Sequence, residues 1–262
     1  MNRKALVVLL LLVCCAASIC AEAVSEKAQE PRIGIISAMA NEVSLLLANA
    51  EIDRVEEFGG FEYNIGTLCG REVVIVQAGV GKVLSASCAT VLVGNYRPSC
   101  VIFTGIAGGV GNDTQVLDTV VADKLIQHDF GFLDNEGFVW GLSEGGEVDY
   151  SYCDERLVGL ARESAAQERG QDHVFVGTIV SGDQFIASEW YVKDLQNRFD
   201  AVACEMEGAA VGLVCSKFDV PFVVIRVMSD KADGLAHESI NNMGDLAADI
   251  SSTIVMDMLP KI

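Results

Sequence analysis

Short apolar runs rich in valine and isoleucine alternate along the chain with segments whose apolar residues recur at helical spacing. The runs are continuously hydrophobic, which indicates strands covered on both faces. The pattern predicts strands at residues 32–36, 72–77, 100–104, 119–122, 174–180, 201–204 and 222–227. It predicts helices at residues 40–50, 82–95, 154–169, 205–218 and 243–259. Their alternation predicts an α/β fold, a three-layer α/β/α sandwich with a mixed, mostly parallel sheet.

The first residues have the features of an export signal. Arg3 and Lys4 give a positive start, residues 5–13 form an unbroken apolar run, and Ala21-Glu22-Ala23 has the small residues of a cleavage site. A run this short cannot span a bilayer as a helix. We therefore predict a signal peptide at residues 1–23, a linker at 24–31 and one domain at 32–262, in a protein exported to the periplasm.

The cysteines leave a second interpretation of the N-terminus. Lipidation near Cys15 or Cys20 would anchor the exported chain to a membrane, but the residue before Cys20 fits such a site poorly and the one before Cys15 only loosely. The six later cysteines form no C-x-x-C pair and mostly lie in apolar runs, which is typical of buried thiols. Their pairing after export cannot be read from the sequence.

Composition narrows the classes of partner. The 262 residues are 51% hydrophobic and 21% charged, as in globular proteins. A formal net charge of −19 repels phosphate backbones, which argues against nucleic acid as a partner. The three histidines are scattered, and Asn241 follows His237 where a metal-binding helix would place a second histidine. We predict neither a metal site nor a cofactor.

Small and acidic residues follow several predicted strands at their carboxyl ends. In α/β sheets ligands bind beyond these ends, so the sequence predicts a pocket there. The segments concerned are Ser37-Ala38-Met39, Ala78-Gly79-Val80-Gly81, Gly105 through Gly111, Ser181-Gly182-Asp183 and Ser229-Asp230.

Four carboxylates stand near these strand ends: Glu42, Glu205, Glu207 and Asp230. A carboxylate at the edge of a core needs a cation, a hydrogen-bond network or a function. Taken singly, they have simpler explanations. Glu42 could be a solvated residue in the first turn of a helix, and Asp230 could be an N-cap or the partner of Arg226. Together they favour acid–base chemistry.

Several separate stretches resemble the methylthioadenosine/S-adenosylhomocysteine nucleosidases in order and in spacing. The resemblance extends from Arg32 to about Leu259. The stretches are residues 33–39 with Glu42-Val43, Gly79-Val80-Gly81-Lys82-Val83, Thr104-Gly105-Ile106-Ala107-Gly108-Gly109, Val180-Ser181-Gly182-Asp183 with Phe185-Ile186, Glu205-Met206-Glu207, and residues 220–224 with Arg226, Ser229-Asp230 and Asp233. The resemblance implies the nucleoside phosphorylase/nucleosidase type of sandwich. It also implies a homodimer whose partner supplies part of the 5′ pocket.

The resemblance implies a role for each matching residue. Glu42 looks like the general base that activates water, and Asp230 like the acid that hydrogen-bonds purine N7. Glu207 resembles the carboxylate that binds the ribose hydroxyls, and Arg226 an arginine close to the water and the acids. Phe185 resembles the ring that stacks on adenine. The remaining expected substrate contacts are Met39, Val80, Ala107, Gly108, Ile186, Glu205, Met206 and Ser229.

Such residues suit hydrolysis of the bond between adenine and ribose. Cleavage leaves an oxocarbenium-like sugar and an electron-rich purine, so one carboxylic acid assists the leaving group and one carboxylate activates water. Asp230 must hold a proton and Glu42 must stay ionised, which requires different environments. The resemblance implies that the substrate is an adenine nucleoside: methylthioadenosine, S-adenosylhomocysteine or 5′-deoxyadenosine.

Two positions and one segment depart from the family's pattern, and other functions stay open. In the segment from His128 to Trp140, Asp129-Phe130-Gly131-Phe132 is shorter and more aromatic than the family's loop, and this segment would shape the 5′ end of the pocket. Ile106 stands where a serine is usual and Ile240 where an aromatic residue is usual. A phosphorylase of the same fold needs groups that hold phosphate, whereas the first loop offers Glu42 and no arginine or lysine. A nucleosidase for a different purine derivative, such as futalosine, and a non-catalytic exported nucleoside-binding protein are also compatible with the sequence.

Overall fold

The computed structural model describes residues 32–141 and 150–262. The predicted signal peptide and linker, residues 1–31, lie outside these ranges, and both stay predictions. Within the described ranges, no helix combines the length and the apolar character needed to cross a membrane.

A mixed sheet forms the centre of the fold. Each predicted strand is present and starts within one residue of its predicted position, although several run further. The strands of this sheet are β1 Ile33–Ser37, β2 Glu51–Phe58, β3 Phe61–Leu68, β4 Arg71–Gln77, β5 Cys100–Gly109, β6 Thr119–Gln127, β9 Ser151–Tyr152, β10 Val174–Ser181, β11 Ala201–Glu205 and β12 Phe222–Asp230. A separate hairpin contains β7 Gly131–Leu133 and β8 Phe138–Trp140.

The topology brings several strand ends together. The strand order is β11-β10-β6-β12-β5-β1-β4-β3-β2. β4, β1, β5 and β12 are parallel to one another, and β6, β10 and β11 form a second parallel set. The end of β5 also pairs with β11, where Gly108 lies opposite Cys204. This antiparallel pairing closes part of the sheet on itself, so the carboxyl ends of β5, β11 and β12 meet.

Six α-helices lie in the described ranges, and the pattern predicts five of them. They are α1 Ala40–Asn49, α2 Lys82–Val91, α3 Glu155–Arg169, α4 Glu189–Phe199, α5 Gly208–Lys217 and α6 Ala236–Met258. The pattern does not predict α4. The predicted start of a helix at Glu205 is wrong, because Glu205 ends β11 and α5 begins at Gly208. The predicted start of the last helix, at Met243, is also wrong: α6 begins at Ala236.

Helices cover both faces of the sheet. α1, α3 and α6 bury Leu46, Leu157 and Ile254 in one apolar cluster. α2 and α5 bury Cys88 and Val211 in a second cluster, formed with the opposite face of the strands. The predicted α/β/α sandwich is therefore confirmed.

Candidate active site

A cavity of about 150 Å³ lies where the ends of β1, β5, β11 and β12 meet. It contains all but two of the residues predicted to form the site: Met39, Glu42, Val80, Ala107, Gly108, Phe185, Glu205, Met206, Glu207, Ser229 and Asp230. Ala38, Ile106 and Ile240 complete its lining. The two side chains expected to perform acid–base chemistry therefore face one enclosed space.

The two exceptions, Ile186 and Arg226, lie close by. Ile186, whose backbone is expected to read the purine edge, lines a neighbouring cavity of about 750 Å³. That larger cavity shares only Phe185 with the smaller one and contains neither Glu42 nor Asp230. The residues expected to perform acid–base chemistry therefore both line the smaller of the two cavities.

Glu42 lies in the first turn of α1 and is only 3% exposed. Its Oε2 accepts hydrogen bonds from the N–H groups of Ala38 and Met39, at 2.9 and 2.7 Å, and its Oε1 accepts one from Ile106 at 2.8 Å. The explanation of Glu42 as a solvated residue is therefore wrong, although it does cap its helix. Burial raises the pKa of Glu42, against the opposing effects of Arg226 and the three N–H donors.

Asp230 is the last residue of β12, just after the register against β5 shifts between Met228 and Asp230. Such a bulge redirects the following side chain. The Ala232 N–H donates to Oδ1 at 2.7 Å, and the Ser229 hydroxyl donates to Oδ2 at 2.8 Å. Burial raises the pKa of Asp230, while these two donors lower it less. The environment therefore favours a carboxyl that keeps its proton to higher pH than usual.

Arg226 is the buried cation beneath the cavity, 1% exposed. Its Nη2 donates to Glu205 Oε2 at 2.5 Å and lies 3.8 Å from Glu207 Oε2. Its guanidinium carbon lies 4.1 Å from the centre of the Phe103 ring. Because Arg226 pairs with these glutamates, the explanation of Asp230 as its partner is wrong. The explanation of Asp230 as an N-cap is wrong as well, since α6 begins after a different residue.

Glu205 has both carboxylate oxygens occupied by the protein. The Ser181 hydroxyl donates to Oε1, and the N–H groups of Gly208 and Glu207 donate to Oε2 at 2.7 and 3.2 Å, beside Arg226. Glu205 lines the cavity, but these donors favour a role in holding Arg226 and the start of α5 over contact with substrate.

Glu207 is held differently. Its Oε1 accepts a hydrogen bond from the Gly81 N–H at 2.8 Å. Burial and the nearby carboxylate of Glu205 raise the pKa of Glu207 to about 8, against the opposing charge of Arg226. Glu207 thus has more free hydrogen-bonding capacity than Glu205 and faces the cavity, which suits recognition of hydroxyl groups.

Gly105 allows the Glu42 carboxylate and the Arg226 guanidinium to lie close to each other. A Cβ atom at this position would overlap Glu42 Oε1 and lie 2.8 Å from Arg226 Nη1. Nε and Nη1 of Arg226 have no hydrogen-bond partner among the residues that the structure describes. The space beside Gly105 thus brings the unpaired Nη1 of a buried cation close to the proposed base.

Sequence reasoning missed three contributors to this site. Ser181 and Gly81 stand out only as members of strand-end segments, because their partners Glu205 and Glu207 are distant in sequence. His237 stands out in the sequence only as a potential metal ligand, yet its ring packs against Phe185 with 4.6 Å between ring centres. Phe185 is 40% exposed at the mouth of the cavity, so His237 supports the ring expected to stack on a base.

Comparisons with known proteins agree with this geometry. Residues 32–260 match the family model described as the phosphorylase superfamily. The chain is 35% identical to a 5′-methylthioadenosine/S-adenosylhomocysteine nucleosidase from Aeromonas salmonicida, over 88% of this chain and 100% of that protein.

Solved structures are similar as well. A mutant 5′-methylthioadenosine/S-adenosylhomocysteine nucleosidase from Helicobacter pylori, with 5′-methylthioadenosine in its active site, superposes with a TM-score of 0.80 at 30% identity. The match covers 88% of this chain and 99% of that chain. The futalosine hydrolase of Helicobacter pylori superposes with a TM-score of 0.78 at 31% identity, over 88% of this chain and 98% of that chain. The chain therefore belongs to the phosphorylase superfamily and, within it, to the 5′-methylthioadenosine/S-adenosylhomocysteine nucleosidases.

Proposed function

We propose that this protein hydrolyses the N-glycosidic bond of 5′-methylthioadenosine, S-adenosylhomocysteine or 5′-deoxyadenosine, releasing adenine and the 5′-substituted ribose. One observation carries the proposal: Glu42, Glu207 and Asp230 line the same enclosed cavity in three different hydrogen-bonding environments. The names of the similar nucleosidases supply the substrate class.

In the proposed reaction, each group has one step of hydrolysis. Asp230, whose pKa is raised by burial, donates a proton to N7 so that adenine leaves as a neutral base. Glu207 forms hydrogen bonds with the ribose hydroxyls. Glu42 removes a proton from the attacking water.

Water is favoured over phosphate as the nucleophile. Phosphate needs cationic or N–H donors, and the cavity lining, as far as the structure describes it, includes no lysine or arginine. The position facing the sugar is taken by the Glu42 carboxylate, which would repel a phosphate anion.

Adenine release by the purified protein tests this proposal directly. We expect 5′-methylthioadenosine to be cleaved at the same rate with and without phosphate, because the nucleophile is water. Glu42→Gln should slow the reaction at least about 10²-fold, since it removes the general base. Dependence on phosphate would make the protein a phosphorylase, and binding without cleavage would make it a nucleoside-binding protein.

Futalosine is the second candidate substrate, because a futalosine hydrolase is among the similar structures at 31% identity. Ile106 and Ile240, two of the departures from the family's pattern, both line the cavity, and Ile240 bears on the 5′ group. Comparing kcat/KM for futalosine and for the three adenine nucleosides ranks the candidates. A value for futalosine above all three would reassign the substrate.

We also propose export to the periplasm, with removal of residues 1–23 or, alternatively, lipidation near Cys15 or Cys20. The positive start, the short apolar run and the small residues of Ala21-Glu22-Ala23 support this proposal. The mass of the mature protein distinguishes the outcomes: the loss of 23 residues, a heavier lipidated form, or an uncleaved chain retained in the cytoplasm, which would contradict export.

A homodimer is the last part of the proposal. Val83 is 75% exposed and Leu84 46%, close to Val80 at the cavity, and Leu133 of the β7–β8 hairpin is 78% exposed. Large exposed apolar side chains next to a site are typical of surfaces that bind a partner. Light scattering at assay concentration should give twice the mass of one chain, and a monomeric mass with full activity would contradict the dimer.

A further inference from the structure

Lys82, the first residue of α2, forms a largely buried ion pair outside the smaller cavity, which contains Glu42 and Asp230. Its Nζ lies 2.5 Å from Asp129 Oδ1 and donates to Gln127 Oε1 at 3.0 Å. The side chains of Lys82 and Asp129 are only 15% and 13% exposed. Exposed ion pairs contribute little, but a pair this buried holds its two segments firmly, because breaking it leaves an uncompensated charge.

The pair is part of a network that includes a third segment. Asp183 Oδ1 accepts a hydrogen bond from the Lys82 N–H at 2.8 Å, and the Asp183 N–H donates to Asp129 Oδ2 at 2.9 Å. Asp183 Oδ2 also lies 4.0 Å from the Lys82 ammonium. The segments after β4, β6 and β10 are therefore tied together at one point.

Two of these segments reach the cavity. The residue before Lys82 is Gly81, whose N–H holds the Glu207 carboxylate at 2.8 Å. Two residues after Asp183 is Phe185, which lines the cavity on the side expected to bind the base. Lys82 itself does not line the cavity, and its ammonium is already engaged by Gln127 and Asp129.

We propose that Lys82 is a positioning residue for substrate binding. It fixes the position of the ribose-binding carboxylate of Glu207 relative to the base-stacking ring of Phe185. It acts through Gly81 on Glu207 and through Asp183 on Phe185. The proposal rests on the proposed nucleosidase function for the identity of the ligand. It concerns binding, so it is measured as a dissociation constant and not as turnover.

The network keeps the Asp129 carboxylate ionised. Burial raises the pKa of Asp129, but the Lys82 ammonium and the Asp183 N–H outweigh it, and the net pKa lies below the usual value. Asp129 therefore stays ionised at neutral pH. Without the ammonium it would be a buried carboxylate with no counterion, and the network would rearrange.

The test is the dissociation constant of 5′-methylthioadenosine measured by calorimetry in an Asp230→Asn background, where turnover is suppressed. Lys82→Met should weaken binding about 10- to 100-fold, since a small displacement of binding groups has effects of this size. Lys217→Met is the matched control: Lys217 is exposed on α5, and its loss should change binding less than about twofold.

A double-mutant cycle tests how Lys82 acts. If Lys82 positions Glu207 through Gly81, the effects of Lys82→Met and Glu207→Gln on binding should be less than additive, because both remove the same interaction. Fully additive effects, or a folded Lys82→Met protein that binds within about twofold of the parent, would overturn the proposal.

Asp129→Asn provides a second variant in case Lys82→Met does not fold, since it weakens the same pair and keeps the side-chain shape. It should weaken binding in the same direction but to a smaller degree, and unchanged binding would count against the proposal. If the parent protein binds nucleoside but cleaves none, the proposed function fails while the role of Lys82 is still measured.

Discussion

Replacing Asp230 with asparagine should remove nearly all adenine release while leaving the binding of 5′-methylthioadenosine largely intact. The amide that replaces the carboxyl would keep an oxygen for the Ala232 N–H and place its nitrogen near the Ser229 hydroxyl, so the local shape is conserved. An amide can donate a hydrogen bond to purine N7 but cannot give up a proton to it. Loss of general acid catalysis should therefore lower kcat by about 10²–10⁴-fold.

The pH dependence of kcat adds a second measurement. Burial raises the pKa of both Asp230 and Glu42. The reaction needs Asp230 protonated, so activity falls as pH rises through its pKa. It needs Glu42 ionised, so activity falls as pH drops through the pKa of that group. The residual activity of Asp230→Asn should keep the acidic limb of this profile and lose the basic limb.

Two results would contradict this role for Asp230. Unchanged kcat would show that it is not the acid, and a basic limb that persists in the variant would assign the titration to another group. Ser229→Ala provides a control, because it removes the hydroxyl that donates to Asp230 but leaves the carboxyl in place. It should shift the basic limb to higher pH, since the donor that lowers the pKa of Asp230 is lost.

Replacing Arg226 with methionine should have the largest effect on stability. The guanidinium is buried, donates to Glu205 at 2.5 Å and lies 3.8 Å from Glu207, so its loss leaves two buried carboxylates without a counterion. Breaking a buried pair by removing one partner costs about 3–5 kcal/mol. For a domain of this size we expect Tm to fall by about 10 °C, measured by calorimetry. Activity should be lost as well, because loss of the Arg226 charge would raise the pKa of Glu207 further and would free Glu205 from its buried partner.

A double variant separates the charge from the packing of Arg226. Arg226→Met with Glu205→Gln removes one of the stranded carboxylates and should recover part of the lost Tm without restoring turnover. A single variant as stable as the wild-type protein would show that the ion pair is energetically neutral. A double variant no more stable than the single one would show that the stranded charge of Glu205 is not what destabilises Arg226→Met.

The parts of the fold that the sequence predicted are those with a strong apolar period. β5 and β12 are buried along their entire length, so their continuous apolar runs are sufficient to predict them as strands. β2 was missed because most of its residues are exposed, and without a buried run it reads as a loop. The Gly59-Gly60 pair nevertheless indicates a hairpin in the sequence. Both glycines have positive φ, at 63° and 83°, as the tight turn of a hairpin requires. α4 was missed because only Leu195 and Phe199 are buried on it.

In the site, too, some residues could be predicted from the sequence and others could not. Glu42 and Asp230 could be predicted because acidic residues next to apolar strands are conspicuous, and the resemblance to a family supplied their roles. The groups that hold the carboxylates could not be predicted, because they depend on tertiary pairing. Ser181 meets Glu205, and Gly81 meets Glu207, only because the strands are arranged side by side in the sheet. The network around Lys82 joins residues up to 101 positions apart for the same reason.

The pairing of β5 with β11 has a consequence for how activity can arise. The cavity walls come from segments as far apart as Ala38 and Ile240, and the pairing of β5 with β11 joins two of these segments. No shorter piece of the chain contains a working set of groups, and contacts between such distant residues form late in folding. We expect proteolysis between Ala38 and Ile240 to lower the activity, because it separates segments that line the cavity. Adenine release would thus report completed folding in any preparation of this protein, and a preparation with half its molecules misassembled would have half the activity at an unchanged KM.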